Sequence, residues 1–383
     1  MSRLEELIQQ YCPDGVEYKK LEDCLNYEQP TKYIVNDTNY DDTYPTPVLT
    51  AGQSFILGYT NEKTGIYQAS KEKPVIIFDD FTTGFHWVDF DFKVKSSAMK
   101  MLRPSCDDIS FRYVYYAMSC IRFEPGTHTR HWISIYSQFE IPLPPLPVQE
   151  EIVRILDNFA ELQAELQAEL QKRLQQYNYY RDKLLSFNDL NGGGYAVSVE
   201  WKKIKEVYQR IKGTPITAGK MKEIQCPTGE IRIFAGGKTV IDANETDIPN
   251  ANITRVPAVL VQSRGVIDVI YYDKPFTFKN EMWAYTHKEQ TSVKYLYYVM
   301  KQNIQHFRDA ASGMGALPQI SLGTTEDFVI PIPPLAEQKR IVDILDRFDK
   351  LANDITEGLP AEIEARRKQY EYYRDQLLTF KRV

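Results

Sequence analysis

The chain contains a second copy of its own most distinctive stretch, and any fold must accommodate both. FEIPLPPLPVQEEIVRILDNF begins at Phe139 and FVIPIPPLAEQKRIVDILDRF at Phe328, a displacement of 328 − 139 = 189. Further on, YNYYRDKLLSF begins at Tyr177 and YEYYRDQLLTF at Tyr370, a displacement of 370 − 177 = 193, four residues more. The first copy reads as a helix: Pro147 suits a first helical position, Glu150 and Glu151 complement the dipole, and Asn188 to Gly194 stops the pattern. Ile152, Ile155, Leu156, Phe159, Leu162, Leu166, Leu170, Leu174, Tyr177, Tyr180 and Leu184 recur at spacings of three or four. Such a seam makes a rod of roughly 60 Å. A rod with one apolar stripe needs a partner, and the second copy offers Ile341, Ile344, Leu345, Phe348, Leu351, Ile355, Ile363, Tyr370, Tyr373 and Leu377. Helix against helix is the predicted arrangement, the second rod longer than the first by about one turn. Within the seam, Glu161 to Gln171 reads ELQAELQAELQ, a four-residue repeat whose units change the length without breaking the pattern.

The segments before the rods repeat as well. VEYKKLED at Val16 returns as VEWKKIKE at Val199, an offset of 183, and RYVYYAM at Arg112 as KYLYYVM at Lys294, an offset of 182. The plan is globule, rod, globule, rod, with expected boundaries 1–146, 147–187, 188–335 and 336–383. Short apolar runs broken by Gly and Asn (TPVLTAG, PVIIFDD, VDFDFKV), together with helices at Arg3 to Tyr11 and Asp107 to Met118, predict α+β globules. Applied to the termini, the same plan sets the segment before Val16 beside the rod end at Phe380, bringing Met1 close to Val383. Between the landmarks the globules differ: FTTGFHWVDFDFKVKSSAMKM stands in one where QSRGVIDVIYYDKPFTFKNEMW stands in the other. A duplicated frame with dissimilar contents suits a protein that reads two different things at a fixed separation.

At these residues the chain resembles the specificity subunit family of type I restriction-modification systems. The I-P-x-P-P-L-x-x-Q entry, I-V-x-I-L-D, the Y-x-Y-Y-R-D-x-L-L-x-F exit and the V-E-[YW]-K-K opening, in that doubled order, carry the resemblance over nearly the whole chain. It implies two target recognition domains in tandem, each reading one half of a bipartite, asymmetric site in double-stranded DNA. The two long helices would pair as an antiparallel coiled coil that spaces the domains and binds two methyltransferase subunits, with restriction subunits in the full complex. S-adenosylmethionine, ATP and Mg would belong to those partners, and this chain would carry no catalytic residue, metal or cofactor.

The residues agree with a non-catalytic reading. A methyltransferase N-P-P-F/Y tetrad is absent, both Pro-Pro pairs lying in the rod entries. Gly313-Met314-Gly315 is a lone G-x-G, and Gly237-Lys238-Thr239 lacks a leading P-loop glycine, since Arg232 stands there. Five cysteines without C-x-x-C spacing suggest neither disulfides nor zinc. No run of 18 apolar residues exists, and MSRLEELIQQY is an amphipathic helix rather than a signal peptide, so a cytoplasmic, membrane-free protein is expected.

The net charge of −6 argues mildly against a nucleic-acid partner until it is divided along the chain. Lys plus Arg against Asp plus Glu gives 14 − 20 = −6 for residues 1–146 but 17 − 15 = +2 for 188–335, and each globule holds one basic stretch. Candidate DNA contacts are Lys93, Lys95, Lys100, Arg103, His128, Thr129 and Arg130 in the first globule. Those in the second are Lys202, Lys203, Lys205, Arg210, Lys212, Lys238 and Arg264. Lysines and Thr127 to Arg130 offer donors to phosphates or base edges; Arg130 and Arg264 suit guanine O6 and N7. Solvated faces are the bland reading of the same lysines, a polar loop that of His128 and His131, and helix packing that of the rod-end tyrosines. A coiled-coil adaptor whose globules bind proteins is the competing function, for which the acidic total is an argument.

Overall fold

The computed structural model describes residues 2–50, 54–126, 129–187, 199–237, 239–248, 250–312, 317–354 and 357–383. Ser2 caps the first helix, α1 (Arg3–Tyr11), in a capping box with Glu5. The first globule continues with β1 (Tyr18–Lys20), α2 (Leu21–Cys24), β2 (Leu25–Glu28), β3 (Thr46–Leu49), β4 (Ile56–Thr60), β5 (Val75–Asp79), β6 (Phe85–Val88), β7 (Lys93–Val94), β8 (Met99–Pro104), α3 (Phe111–Met118) and β9 (Glu140–Pro142). The first rod is one helix, α4 (Leu146–Ser186), of 41 residues. The second globule runs through β10 (Glu200–Lys203), α5 (Ile204–Val207), β11 (Gln209–Lys212), α6 (Ala218–Ile224), β12 (Ile231–Phe234), β13 (Val240–Ala243), β14 (Ala258–Gln262), β15 (Asp268–Tyr272), β16 (Phe276–Phe278), β17 (Trp283–Thr286), α7 (Gln290–Gln302), α8 (Ile304–Asp309), α9 (Leu322–Glu326) and β18 (Val329–Ile332). It is followed by α10 (Leu335–Asn353) and α11 (Leu359–Leu377).

Strand order is the same in both globules although their sequences are not. The first holds sheets β2-β8-β5-β6, β4-β3-β7 and β1-β9; the second holds β11-β17-β14-β15, β13-β12-β16 and β10-β18. Even the parallel pairings match, β3 with β7 and β12 with β16. One expectation is corrected here. VDFDFKV is not a single strand: β6 ends at Val88, the chain leaves the ladder over Asp89 to Asp91, and Phe92 turns inward to stack on Tyr67 at 5.0 Å. β7 then joins the other sheet.

Two compact units divide the chain: residues 1–166 with 363–383, and 167–362. In the first, Val148, Ile152 and Leu156 of α4 share a core with Tyr113, Val114 and Leu378, and Phe159 stacks on Tyr373 at 5.6 Å. In the second, Tyr177 and Leu185 share a core with Ile341 and Leu345, and Tyr180 stacks on Phe348 at 5.4 Å. Leu184 and Phe187 there line a cleft with Arg340 and Ile344, so α4 and α10 run antiparallel. The rods therefore pair twice through one Phe-Tyr plan, α4 supplying the Phe to one unit and the Tyr to the other. Tyr177 is buried, and Tyr180 and Tyr373 pack one ring face on Phe348 and Phe159 while keeping partial exposure; Tyr179 and Tyr372 are the most exposed of the set.

The second rod departs from expectation, because its four extra residues do not lengthen the helix by a turn. They fall where α10 ends and α11 begins. Gly358 closes that break; a Cβ on it would meet the carbonyl oxygens of Lys350 at 2.6 Å and Asp354 at 2.7 Å, so only glycine fits. Ile355 lies outside the described residues.

Repeated sequence motifs turn out to be the joints between globule and rod. Tyr113 donates from its hydroxyl to the Pro142 carbonyl at 2.9 Å, and Tyr295 to Pro331 at 3.0 Å. Gln149 Nε2 donates to the Pro144 carbonyl at 2.7 Å, and Gln338 to Pro333 at 2.8 Å, which accounts for the glutamine of each rod entry. The aspartate of I-L-D binds the Y-Y helix: Asp157 pairs with Arg112 and accepts from the Tyr116 hydroxyl, as Asp346 pairs with Lys294 and accepts from Tyr298. Burial, reinforced by these bonds, pushes both tyrosine hydroxyls well above their ordinary range. The C-terminal residues close on the first globule, Val16 donating its amide to the Lys381 carbonyl at 2.9 Å and Val383 donating to Val16 at 3.2 Å. Gly15, at φ +126, makes room, since a Cβ there would lie 2.5 Å from the Lys381 oxygen. Met1 lies outside the described residues. Among those residues no helix is long and apolar enough to cross a membrane.

Candidate nucleic-acid interface

Two of the lysines predicted to face DNA are inside the first globule. Lys93 is 1% exposed, with its Nζ 2.8 Å from Glu62 Oε2 and donating to the Thr64 carbonyl at 2.7 Å. Lys100 is also 1% exposed and lies 3.1 Å from Asp80, itself 1% exposed, beneath the ring of Tyr27. Neither can reach a phosphate, because a buried cation is retained only where a carboxylate neutralises it. Arg103 is half-exposed but engaged, donating to the Tyr67 hydroxyl at 2.7 Å and to Glu28 at 2.8 Å. Lys95, Thr129 and Arg130 are exposed; Thr127 and His128 lie outside the described residues.

Burial pushes the Glu62 carboxyl up, but hydrogen bonds from Lys93 and from the Asp37 and Asn36 amides outweigh it and hold the group at about 2, against an ordinary 4.5. Between those values the folded chain binds fewer protons than the unfolded chain. The stabilisation is therefore complete above pH 4.5 and lost as pH falls toward 2. Glu62→Gln is expected to lower stability at neutral pH and to flatten the acid limb. Urea midpoints at about pH 7 and pH 3 check this, and an equal loss at both would refute it.

In the second globule the opening lysines belong to the frame. Lys203 and Lys205 both pair with Asp327, at 3.1 and 2.7 Å, where the chain turns into β18, and Lys202 pairs with Glu200. Lys20 of the first globule does the equivalent, donating to Gln138 at 2.8 Å. These side chains form ion pairs beside the rod entry, and Lys202, Lys203 and Lys205 each keep nearly half of their side-chain surface exposed.

Of the second globule's other candidates, Arg210 and Lys212 line one cleft of about 640 Å³, whose walls also include Asn252, Asn280, Trp283 and Gln319. Arg210 lies 3.5 Å from Glu326, whereas exposed Lys212 has no ion pair among the described residues. Arg264 is exposed, and its backbone is bridged to that of the wall residue Gln319. Lys238 lies outside the described residues, although its neighbour Gly237 donates to the Arg264 carbonyl at 3.2 Å. Asn280 and Gln319 are exposed amides that sequence reasoning passed over, since single polar residues in loops carry no periodic signal. Unpaired cations beside planar amides can meet phosphate oxygens and base edges together. No group of three or more His, Cys, Asp or Glu among the described residues could hold a metal.

Residues 13–176 and 196–365 each match the family described as the type I restriction modification DNA specificity domain. Over 409 aligned residues, covering 99% of this chain and 97% of the relative, the sequence is 45% identical to the type I restriction enzyme EcoR124I/EcoR124II specificity subunit of Escherichia coli. The fold is similar to that of the crystal structure of a type I restriction-modification system S subunit from M. genitalium. That likeness has a TM-score of 0.61 at 14% identity and covers 96% of this chain and 97% of the other.

Proposed function

The chain belongs to the type I restriction-modification DNA specificity family, and from that premise we propose that it is the sequence-reading, non-catalytic subunit of such a complex. Its globules, over 1–146 and 188–335, each read one half of a bipartite, asymmetric site in double-stranded DNA. The helical segments 147–187 and 336–383 act as spacers and carry two methyltransferase subunits, with restriction subunits joining the full complex. S-adenosylmethionine, ATP and Mg serve those partners, whose chemistry this chain directs to adenines beside the site.

One observation supports this reading above the others: residues that repeat between the copies join rod to globule, while residues around the cleft do not repeat. Arg210, Lys212 and Asn280 answer to Tyr27, Gln29 and Ser97 at the offset of 183. A shared frame with two different polar faces is what reading two different half-sites requires.

The test is to map N6-methyladenine in a genome with and without this gene. Loss of methylation from one split motif with a fixed gap is expected on deletion, and an unchanged map contradicts the proposal.

A further inference from the structure

The duplication places one side chain of each globule at the same structural position. In the first, the Asp80 carbonyl just after β5 accepts the His131 amide at 2.8 Å, and Asp80 Oδ1 accepts the Trp132 amide at 2.8 Å. In the second, Ser263 follows β14 at 80 + 183 = 263, and its carbonyl accepts the amide of Ile320, at 131 + 189 = 320, over 3.0 Å. The offsets are those of the strands and of the rod entries, so the same tether ties the same two loops. The residue immediately before each tethered amide is Arg130 in one globule and Gln319 in the other.

Both residues are exposed, and neither side chain has a hydrogen bond or ion pair among the described residues. Their backbones, in contrast, are held. Gln319 exchanges amide and carbonyl bonds with Ser312 at 3.2 and 3.0 Å, and Pro318 beside it accepts the Gly265 amide at 2.8 Å. Arg130 is fixed by the two bonds from Asp80 to the residues that follow it, and Asp80 is anchored on buried Lys100. A fixed backbone carrying a free, planar, multi-donor side chain is the arrangement that reads a base edge at low ordering cost. In the major groove an arginine fork matches guanine O6 and N7, and a glutamine amide matches adenine N6 and N7.

We propose that Arg130 and Gln319 are the corresponding base-reading residues of the two globules, Arg130 selecting a guanine in one half-site and Gln319 an adenine in the other. The inference rests on the DNA-reading function proposed above. Lys212, on the same cleft as Gln319, serves the phosphate backbone and carries affinity rather than selectivity.

The experiment uses the full chain assembled with its methyltransferase partner, on a randomised DNA duplex library, scored both by binding and by adenine methylation. Arg130→Gln is expected to move the preference at one position of one half-site from guanine to adenine, and Gln319→Arg to make the reverse change in the other half-site. Discrimination at each altered position should change on the order of 10- to 100-fold. Arg130→Ala and Gln319→Ala should erase discrimination at those positions and leave every other position intact. Lys212→Ala should weaken binding to all duplexes alike. Wild-type preferences retained in the alanine variants, or changes spread over both half-sites from one substitution, overturn the proposal. If the wild-type complex selects no split sequence at all, the DNA-reading function fails first, and that result is visible before any variant is compared.

Discussion

Replacing Lys100 by methionine is expected to destabilise the first globule by about 3–5 kcal/mol, the cost of leaving a buried charge without its partner. Lys100 and Asp80 are each 1% exposed and 3.1 Å apart, so the carboxylate has no solvent to turn to. Asp80 also receives the Trp132 amide at 2.8 Å and gives its carbonyl to His131, and Lys100 supports the Tyr27 ring at 5.3 Å. Removing the cation therefore loosens both the core and the segment that carries Arg130. Adding Asp80→Asn should restore much of the loss, because asparagine keeps the acceptor for Trp132 and carries no charge. Urea unfolding of the full-length chain measures both variants. A K100M protein within about 1 kcal/mol of wild type, an ordinary surface effect, would show that the pair is not the anchor described.

That pair also shows where the sequence stops being informative. Lys93 and Lys100 look like solvated lysines because nothing local reports that Glu62 and Asp80, 31 and 20 residues away, turn inward to meet them. The one available signal was MKML: β8 is an inner strand of its sheet, and Met99, Met101 and Leu102 flank the lysine on a strand buried on both faces. Lys202 and Lys203 were legible in a different way. They recur as Lys19 and Lys20, and what recurs here builds the frame. The rods, their seam and their pairing could be read because 3.6-residue periodicity is local and long. Gly358-Leu359-Pro360 carried the break in the second rod, yet a glycine followed two residues later by proline does not say whether a helix stops or only bends. Asn280 and Gln319 could not be read at all, because their importance comes from the fold that gathers them beside Lys212 and Arg264.

Exchanging residues 16–138 for the matching segment of a relative is expected to rewrite one half of the recognised site and nothing else. The exchange keeps β9 and α4, and so the acceptors Pro142 and Asp157 that receive Tyr113, Tyr116 and Arg112. A donor segment bearing its own [RK]-Y-x-Y-Y helix supplies those three side chains again, so the chimaera should dock as the parent does. The cleft of the second globule is untouched, since all of its lining residues lie between Arg210 and Leu322. Mapping N6-methyladenine in cells that express the chimaera with its methyltransferase partner tests the central claim directly. The predicted result is a split motif with one half replaced, the other half and the gap retained. A motif altered in both halves, or in neither, would contradict the assignment of one half-site to each globule.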